Sequence, residues 1–326
     1  MAKLVTIFGG SGFIGRYVAQ QLAENGWRVR VAVRRPNEAG HVRASGSVGQ
    51  VEPIFANIRD DDSVRSALAG SDAVVNCVGT FDAGGRNNFS AVHIEGAGRI
   101  ARISAELGVD RMVHISALGA DPHGDSEYQR SKAAGEVAVL QFQPKAMILR
   151  PSVVFGTEDG FFNRFAGMAR MGPVLPITGG ETKFQPVYVV DVATAAVKGV
   201  EAPIAGIFEL GGPDVDTLNG WMGRMLNVIN RSRIILNLPF GASALMAFGF
   251  DMLQAVTLGL FTNNILTRDQ VRSLRSDNLV ADGAHTFTDL GISATTVESV
   301  LPEYLWRFRP SGQYDAIKAS AKNLKA

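Results

Sequence analysis

The chain has 326 residues, 46% hydrophobic and 19% charged, with a formal net charge of +1. That length fits one large or two modest domains, and the near-neutral balance carries no nucleic-acid signature. The lone Cys77 excludes an intrachain disulfide framework and a cysteine-cluster metal site; the five histidines show no ligand spacing, so no metal is expected.

The first residues run directly into an apolar segment, with no charged leader, h-region and cleavage site, so a cytoplasmic start is expected. Residues 4–8 (LVTIF) read as a buried strand. Gly9, Gly12 and Gly15 follow in the spacing G-x-x-G-x-x-G, ahead of a helical pattern over 16–25. Gly9 suits a tight turn, Gly12 a close approach by pyrophosphate, and Gly15 the packing of the helix on the sheet. Phosphate then meets the free N–H groups of the helix N-terminus, so the stretch predicts dinucleotide binding. Residues 27–33 predict a second strand that ends at Arg34 and Arg35. A carboxylate there would receive the 2′-OH of NAD, whereas a guanidinium fork suits a 2′-phosphate. No acidic residue occurs between that strand and Glu38, so NADP is favoured over NAD; a solvated strand end is the alternative.

Residues 51–56 predict a third strand, followed by Asn57-Ile58 and a helix over 59–68 with three aspartates in its first turn, where carboxylates suit the helix dipole. Residues 73–78 predict a fourth strand ending at Gly79. The βαβαβαβ order predicts a Rossmann-type, doubly wound parallel sheet. A long helix is expected over 88–107, and a fifth strand over 112–116, with Ser116 at the sheet edge where ligands bind. Tyr128 and Lys132 lie four apart on the next helix, one turn from each other. An ammonium so placed lowers a tyrosine pKa and holds ribose hydroxyls. Residues 147–154 predict a sixth strand, 186–191 another strand leading into a helix over 192–200, and 207–210 a short strand. The expected division is a nucleotide-binding domain over 1–155, to which the chain returns at about 186–212, and a smaller, mostly helical domain over 156–326.

Residues 236–261 form the most apolar long stretch. Its length suits a membrane span, but Pro239, Asp251 and Gln254 argue against one. Met246, Phe250, Leu253 and Val256 share one helical face, as a buried helix or as a surface for a membrane or another subunit. The tail over 307–326 is mildly basic (Arg307, Arg309, Lys318, Lys322 and Lys325 against Asp315), suited to anionic headgroups, an acidic partner or plain solvation.

Taken together, Gly9 to Gly15, Asn57-Ile58, Asn76 to Gly79, Ser116, Tyr128 with Lys132, Arg150-Pro151 and Val187 to Asp191 resemble the extended or atypical branch of the short-chain dehydrogenase/reductase superfamily. A narrower resemblance is to the NAD(P)-binding accessory subunits of respiratory complex I (NADH:ubiquinone oxidoreductase) and their bacterial relatives. It is carried by HISALGA (114–120), YQRSKAAGE (128–136), FGTEDGFFNRF (155–165), QPVYVVDV (185–192) and LTRDQV (266–271). The resemblance implies tightly bound NADP(H) along the C-terminal edge of the sheet. Gly9, Ser11, Gly12, Phe13, Ile14 and Gly15 would hold the pyrophosphate, with Arg16 in reach of it or on the surface. Arg34 and Arg35 would meet the 2′-phosphate and Asn57 and Ile58 would flank adenine. Cys77, Val78 and Gly79 would pass beneath the ribose. Lys132 would bind the nicotinamide ribose, Ser116 would also contact the cofactor, and Pro151, Ser152, Val153 and Val154 would line the nicotinamide side.

Two readings stay open at this point. In one, the chain is an accessory subunit of complex I with a mainly structural nucleotide. It would be peripheral on the cytoplasmic side of the inner membrane, with other complex I subunits as partners and no nucleic acid; residues 236–261 and the basic tail would contact the membrane surface. In the other, it is a free-standing NADP-dependent reductase, epimerase or dehydratase using Ser116, Tyr128 and Lys132. Two departures from the extended family bear on catalysis. His93 stands where many members carry an asparagine that supports a proton-relay water, and histidine also relays protons. Only eleven residues separate Ser116 from Tyr128, fewer than a substrate-covering connection usually has.

Overall fold

A computed structural model describes residues 2–81, 84–256 and 267–314. Elements alternate from the start: β1 (Leu4–Phe8), α1 (Phe13–Glu24), β2 (Arg28–Val33), β3 (Val51–Phe55), α2 (Asp61–Leu68), β4 (Ala73–Asn76), α3 (Ala97–Glu106), β5 (Met112–Ile115), α4 (Glu127–Phe142) and β6 (Met147–Pro151). Then come β7 (Val154–Phe155), α5 (Phe162–Met171), β8 (Val174–Thr178), β9 (Lys183–Phe184), β10 (Val187–Tyr188), α6 (Val189–Glu201) and β11 (Gly206–Leu210). The remainder comprises β12 (Asp216–Thr217), α7 (Leu218–Val228), β13 (Ile234–Leu238), α8 (Phe240–Val256), α9 (Arg268–Ser273) and α10 (Val297–Leu305).

The chain divides into two compact units. The first joins Met1–Ser152, Val189–Gly211 and Val280–Ala294. Its seven strands run in the order β11-β6-β5-β4-β1-β2-β3, and every neighbouring pair is parallel. The order reverses between β1 and β4, which opens the crevice where ligands of such sheets bind. β4 and β5 are buried throughout, as strands covered by helices on both faces must be. Leu68, Val74, Ile100, Ile103, Met112 and Ile148 pack one side of that core. The second unit joins Val153–Tyr188, Gly212–Leu279 and Thr295–Ala326. Its core gathers Phe155, Phe162, Leu175, Trp221, Met225 and Leu301, and the Trp221 indole donates to the Phe184 carbonyl at 3.1 Å.

Several boundaries differ from the sequence reading. α1 starts at Phe13, not at residue 16, because the glycine turn leads straight into it. β4 stops at Asn76, whose side chain accepts the Val78 N–H at 3.0 Å and turns the chain away from the sheet. The helix expected over 88–107 is a π-helical stretch, Ser90–Gly96, followed by α3. The strand expected over 186–191 keeps only two residues, and helix begins at Val189. The apolar stretch is not one helix: Ile234–Leu238 pairs with β8, and α8 begins beyond Pro239. In α8, Ser243 and Ala247 are buried, whereas Leu245, Met246, Phe248 and Met252 are exposed. Residues 257–261, the side chains of Phe250, Leu253 and Val256, and the lysines of the tail lie outside the described residues. Among the described residues no helix is long and apolar enough to cross a membrane.

Candidate functional site

The glycine turn leaves β1 at the switch point. Gly9 has φ +74, a conformation that side chains disfavour. Its N–H donates to the Ala32 carbonyl at 3.0 Å, and its carbonyl accepts the Gly12 N–H at 2.9 Å. A Cβ on Gly15 would strike the Gly9 carbonyl and lie 2.7 Å from the Gly10 Cα, so only glycine lets α1 sit on the turn. Gly12 caps α1 without a side-chain bond, and no acidic residue occupies the first turn. The first amides of α1, at Phe13, Ile14 and Gly15, therefore keep their positive end for an external anion. Arg16 folds back on the turn: its Nε donates to the Gly12 carbonyl at 3.3 Å and its Nη2 to the Ser11 carbonyl at 3.2 Å. This adds positive charge at the turn.

Arg34 and Arg35 follow β2 and are exposed. Arg35 pairs with Glu38 at 3.1 Å, both side chains largely in solvent, while Arg34 makes no ion pair with a described residue. Past β3, the Asn57 N–H donates to Ser63 Oγ at 2.9 Å, and the Ile58 carbonyl accepts from Arg99 Nη1 at 2.8 Å. Past β4, the Cys77 N–H still reaches the Phe8 carbonyl at 2.9 Å. Burial pushes the Cys77 thiol up to about 12, against the opposing charge of Lys132. A Cβ on Gly79 would lie 3.7 Å from Lys132 Nζ and 3.9 Å from His93 Nε2. The segment Cys77 to Gly79 thus lies against the side chains of Lys132 and His93.

α4 begins with a capping box: Ser126 Oγ accepts the Gln129 N–H, and the Gln129 side chain accepts the Ser126 N–H. This fixes the helix phase that turns Ser131, Lys132 and Glu136 inward. Lys132 is 5% exposed, and its ammonium donates to the Ile115 carbonyl at 3.2 Å. Burial lowers its pKa to about 8, opposed by the Glu136 charge. The ammonium lies over the Tyr128 ring, 6.0 Å from its centroid. That ring stacks on Phe81 at 5.2 Å and meets Phe89 and His93 edge-on. The expectation that Lys132 lowers the Tyr128 pKa is overturned. Desolvation of the phenol raises it instead, although the residue is only half-buried.

Ser116 is buried at the end of β5, and its hydroxyl donates to Glu136 Oε1 at 2.5 Å. Glu136 in turn receives Arg150 Nε at 2.9 Å and Nη2 at 2.7 Å, and Arg150 Nη1 reaches Glu209 at 3.3 Å. The one serine proton is thereby committed to a buried carboxylate. His93 has both ring nitrogens engaged: Nε2 accepts the Thr80 N–H at 3.0 Å, so Nδ1 carries the proton and donates to Ser131 Oγ at 2.9 Å. Burial, then the Lys132 charge, lowers its pKa to about 3. It is a neutral structural residue here, and the proton relay considered for it has no open nitrogen. His114 shares these causes, also falling to about 3, and bonds Asn76 at 3.1 Å. Pro151 and Ser152 close the first unit, the Ser152 N–H donating to the Leu210 carbonyl at 2.9 Å; Val153 and Val154 belong to the second unit.

Sequence reasoning gave no site role to Glu136 or Arg150, although both lie in motifs that carry the resemblance, and it missed Phe81 and Phe89. A signal for the first was present: Tyr128, Lys132 and Glu136 repeat every four residues on one helical face.

Strand order, the glycine turn at the switch point and the uncapped helix behind it define the Rossmann-type class of α/β proteins. The chain belongs to the NAD dependent epimerase/dehydratase family, whose family model matches residues 5–211. It is 36% identical over 95% of its length to NADH dehydrogenase [ubiquinone] 1 alpha subcomplex subunit 9 of Arabidopsis thaliana, covering 79% of that protein. It is 30% identical over 97% of its length to the NADH-ubiquinone oxidoreductase 40 kDa subunit of Neurospora crassa, covering 82% of it. Among solved structures, a UDP-glucose 4-epimerase of Thermotoga maritima with UDP-glucose aligns over 94% of this chain and 99% of its own, with TM-score 0.69 and 18% identity. That likeness shows the shared fold.

Proposed function

We propose that this protein is a nicotinamide-nucleotide-binding accessory subunit of respiratory complex I, in which bound NADP(H) stabilises the fold and is not turned over. The complex I reading is supported by the two mitochondrial relatives, which match nearly the whole chain. The nucleotide fits the residues present: a glycine turn that tolerates no Cβ at Gly15, an uncapped helix start, and an exposed Arg34 that makes no ion pair among the described residues. Gly9, Ser11, Gly12, Phe13, Ile14 and Gly15 would hold the diphosphate, with Arg16 beside it. Arg34 and Arg35 would hold a 2′-phosphate, Asn57 and Ile58 the adenine side, and Cys77 to Gly79, Ser116 and Lys132 the sugar side. Pro151 to Val154 are assigned to the nicotinamide on the family resemblance alone. When bound, the nicotinamide supplies hydride chemistry. The observation that argues against its use is the state of the acid–base groups: the Ser116 hydroxyl donates its hydrogen bond to Glu136, burial raises the Tyr128 pKa, and both His93 nitrogens are occupied.

The subunit sits peripherally on the cytoplasmic side of the membrane in this reading, held by other complex I subunits and by the apolar face of α8. Blue-native electrophoresis of solubilised native membranes tests the assignment. Migration with the large respiratory assembly is expected, and a small soluble species alone would refute it. Turnover is tested separately with Tyr128→Phe: neither wild type nor variant should oxidise NADPH with carbonyl acceptors. A wild-type rate lost in the variant would instead establish the free-standing reductase reading, which the one-turn spacing of Tyr128 and Lys132 favours.

A further inference from the structure

The second unit carries an open cleft of about 500 Å³ beyond the C-terminal end of α7, with Asn227, Asn230, Arg231, Ser232, Arg233 and Ile235 in its lining. The helix ends in a left-handed turn. Asn230, at φ +52, is the only non-glycine residue with positive φ among the described residues. The Asn230 N–H donates to the Asn227 carbonyl at 3.1 Å, and the Arg231 N–H to the Leu226 carbonyl at 3.1 Å. Asparagine is among the few side chains that tolerate this conformation, and the two bonds close α7 as a Schellman cap. The turn reverses the chain and delivers two arginines to the cleft. Arg231 Nε donates to the Phe308 carbonyl at 2.8 Å, and Arg233 donates through Nε to the Ala169 carbonyl at 2.7 Å and through Nη1 to the Ser232 carbonyl at 2.8 Å.

These anchors are all neutral carbonyls. They orient each guanidinium without cancelling its charge, and each keeps further N–H donors. Elsewhere in the unit Arg224 is neutralised by Asp216 and Glu298, and Arg268 pairs with Asp251. No carboxylate among the described residues pairs with Arg231 or Arg233. Two half-buried arginines two residues apart, both in the lining of one cleft and beside exposed Asn227 and Ser232, offer the fork donors that suit a tetrahedral oxyanion. On the other side of β13, Ile234 and Leu236 are 68% and 47% exposed, so an acyl-bearing ligand would also find apolar surface nearby. We propose that this cleft is a second anion site, selective for a phosphate group carried either as free phosphate or as the phosphodiester of a lipid headgroup. It lies within the second unit and stands whether or not the glycine turn holds a nucleotide.

The test uses the full chain with saturating NADPH. Sodium phosphate is titrated by calorimetry, and sedimentation is followed with phosphatidylcholine vesicles that contain or lack phosphatidylglycerol. Two variants are compared with wild type. Arg231→Gln with Arg233→Gln removes both charges. Asn227→Asp keeps both arginines and their carbonyl anchors and places a competing carboxylate in the cleft, so it controls for folding. Each should weaken binding by at least about tenfold, the loss expected for charge-assisted hydrogen bonds to one phosphate. Binding of free phosphate that Asn227→Asp abolishes identifies a soluble ligand. Co-sedimentation only with phosphatidylglycerol, lost in both variants, identifies the lipid. Both outcomes support the site. Phosphate binding that survives unchanged in both variants lies outside this cleft, and with vesicle binding equal in all three proteins it would overturn the proposal.

Discussion

Replacing Arg150 with methionine isolates the buried network behind Ser116. Methionine keeps much of the stem's volume and removes the fork. Arg150 supplies two short charge-assisted bonds to Glu136, whose side chain is 5% exposed, and a longer one to Glu209. Without it Glu136 is a buried carboxylate whose remaining donor is the Ser116 hydroxyl. Breaking a buried pair from one side costs about 3–5 kcal/mol, most of it from the charge left behind. The Arg150 side chain is 20% exposed, so solvent screening sets the lower end, about 3 kcal/mol. Native-state hydrogen exchange read on peptides from β4, β5 and β6 reports the first unit alone. Protection there should fall by about two orders of magnitude. The double variant Arg150→Met with Glu136→Met removes both charges and should recover part of that loss. A fall of less than about threefold in Arg150→Met, or a double variant worse than the single, would refute the claim that an uncompensated charge is the dominant cost.

Three further outcomes follow from the same geometry. Arg34→Ala should weaken NADPH binding by about tenfold to a hundredfold and leave NADH unchanged; Arg35→Ala should do less, because that guanidinium is shared with exposed Glu38, and equal losses for the two nucleotides in a fluorescence titration would remove the 2′-phosphate assignment. The folded-state pKa of both His93 and His114 is about 3 against an ordinary 6.5, so below pH 6.5 the unfolded chain binds more protons. Stability of the first unit should therefore decline as pH falls from about 6.5 towards 3, by at most about 2.7 kcal/mol per pH unit for two such groups; exchange measured across that range in His93→Gln should show a shallower slope, and an unchanged slope would contradict the burial of a neutral imidazole. Gly15→Ala should displace α1 from the turn, costing about 1–3 kcal/mol and abolishing the increase in melting temperature that NADPH gives wild type; an undiminished increase would mean that the turn is not where the nucleotide binds.

The division between what sequence and what packing decided is clearest at α4. Ser126, Gln129, Tyr128 and Lys132 were enough to start the helix and set its face, since capping and the four-residue repeat are local. What each group does there was not local. Tyr128 packs against Phe81, Phe89 and His93, which come from a connection and a π-helical stretch far away in the chain, and desolvation of the phenol reversed the expected pKa direction. Ser116 looked like a substrate-facing hydroxyl at the strand edge, until Glu136 and Arg150 placed an acceptor against it.

By itself the amino-acid order determined the strand succession, the glycine turn and the parallel class of sheet, because backbone sterics, apolar periodicity and helix ends act over a few residues. Tertiary structure alone decided the second return of the chain over Val280–Ala294, the partners of Glu136 and Lys132, and which described residues of α8 remain exposed. Those depend on which distant segments exclude water from one another. Desolvation, unlike helical phase, is a property of the packed neighbourhood and leaves no fixed spacing in the chain.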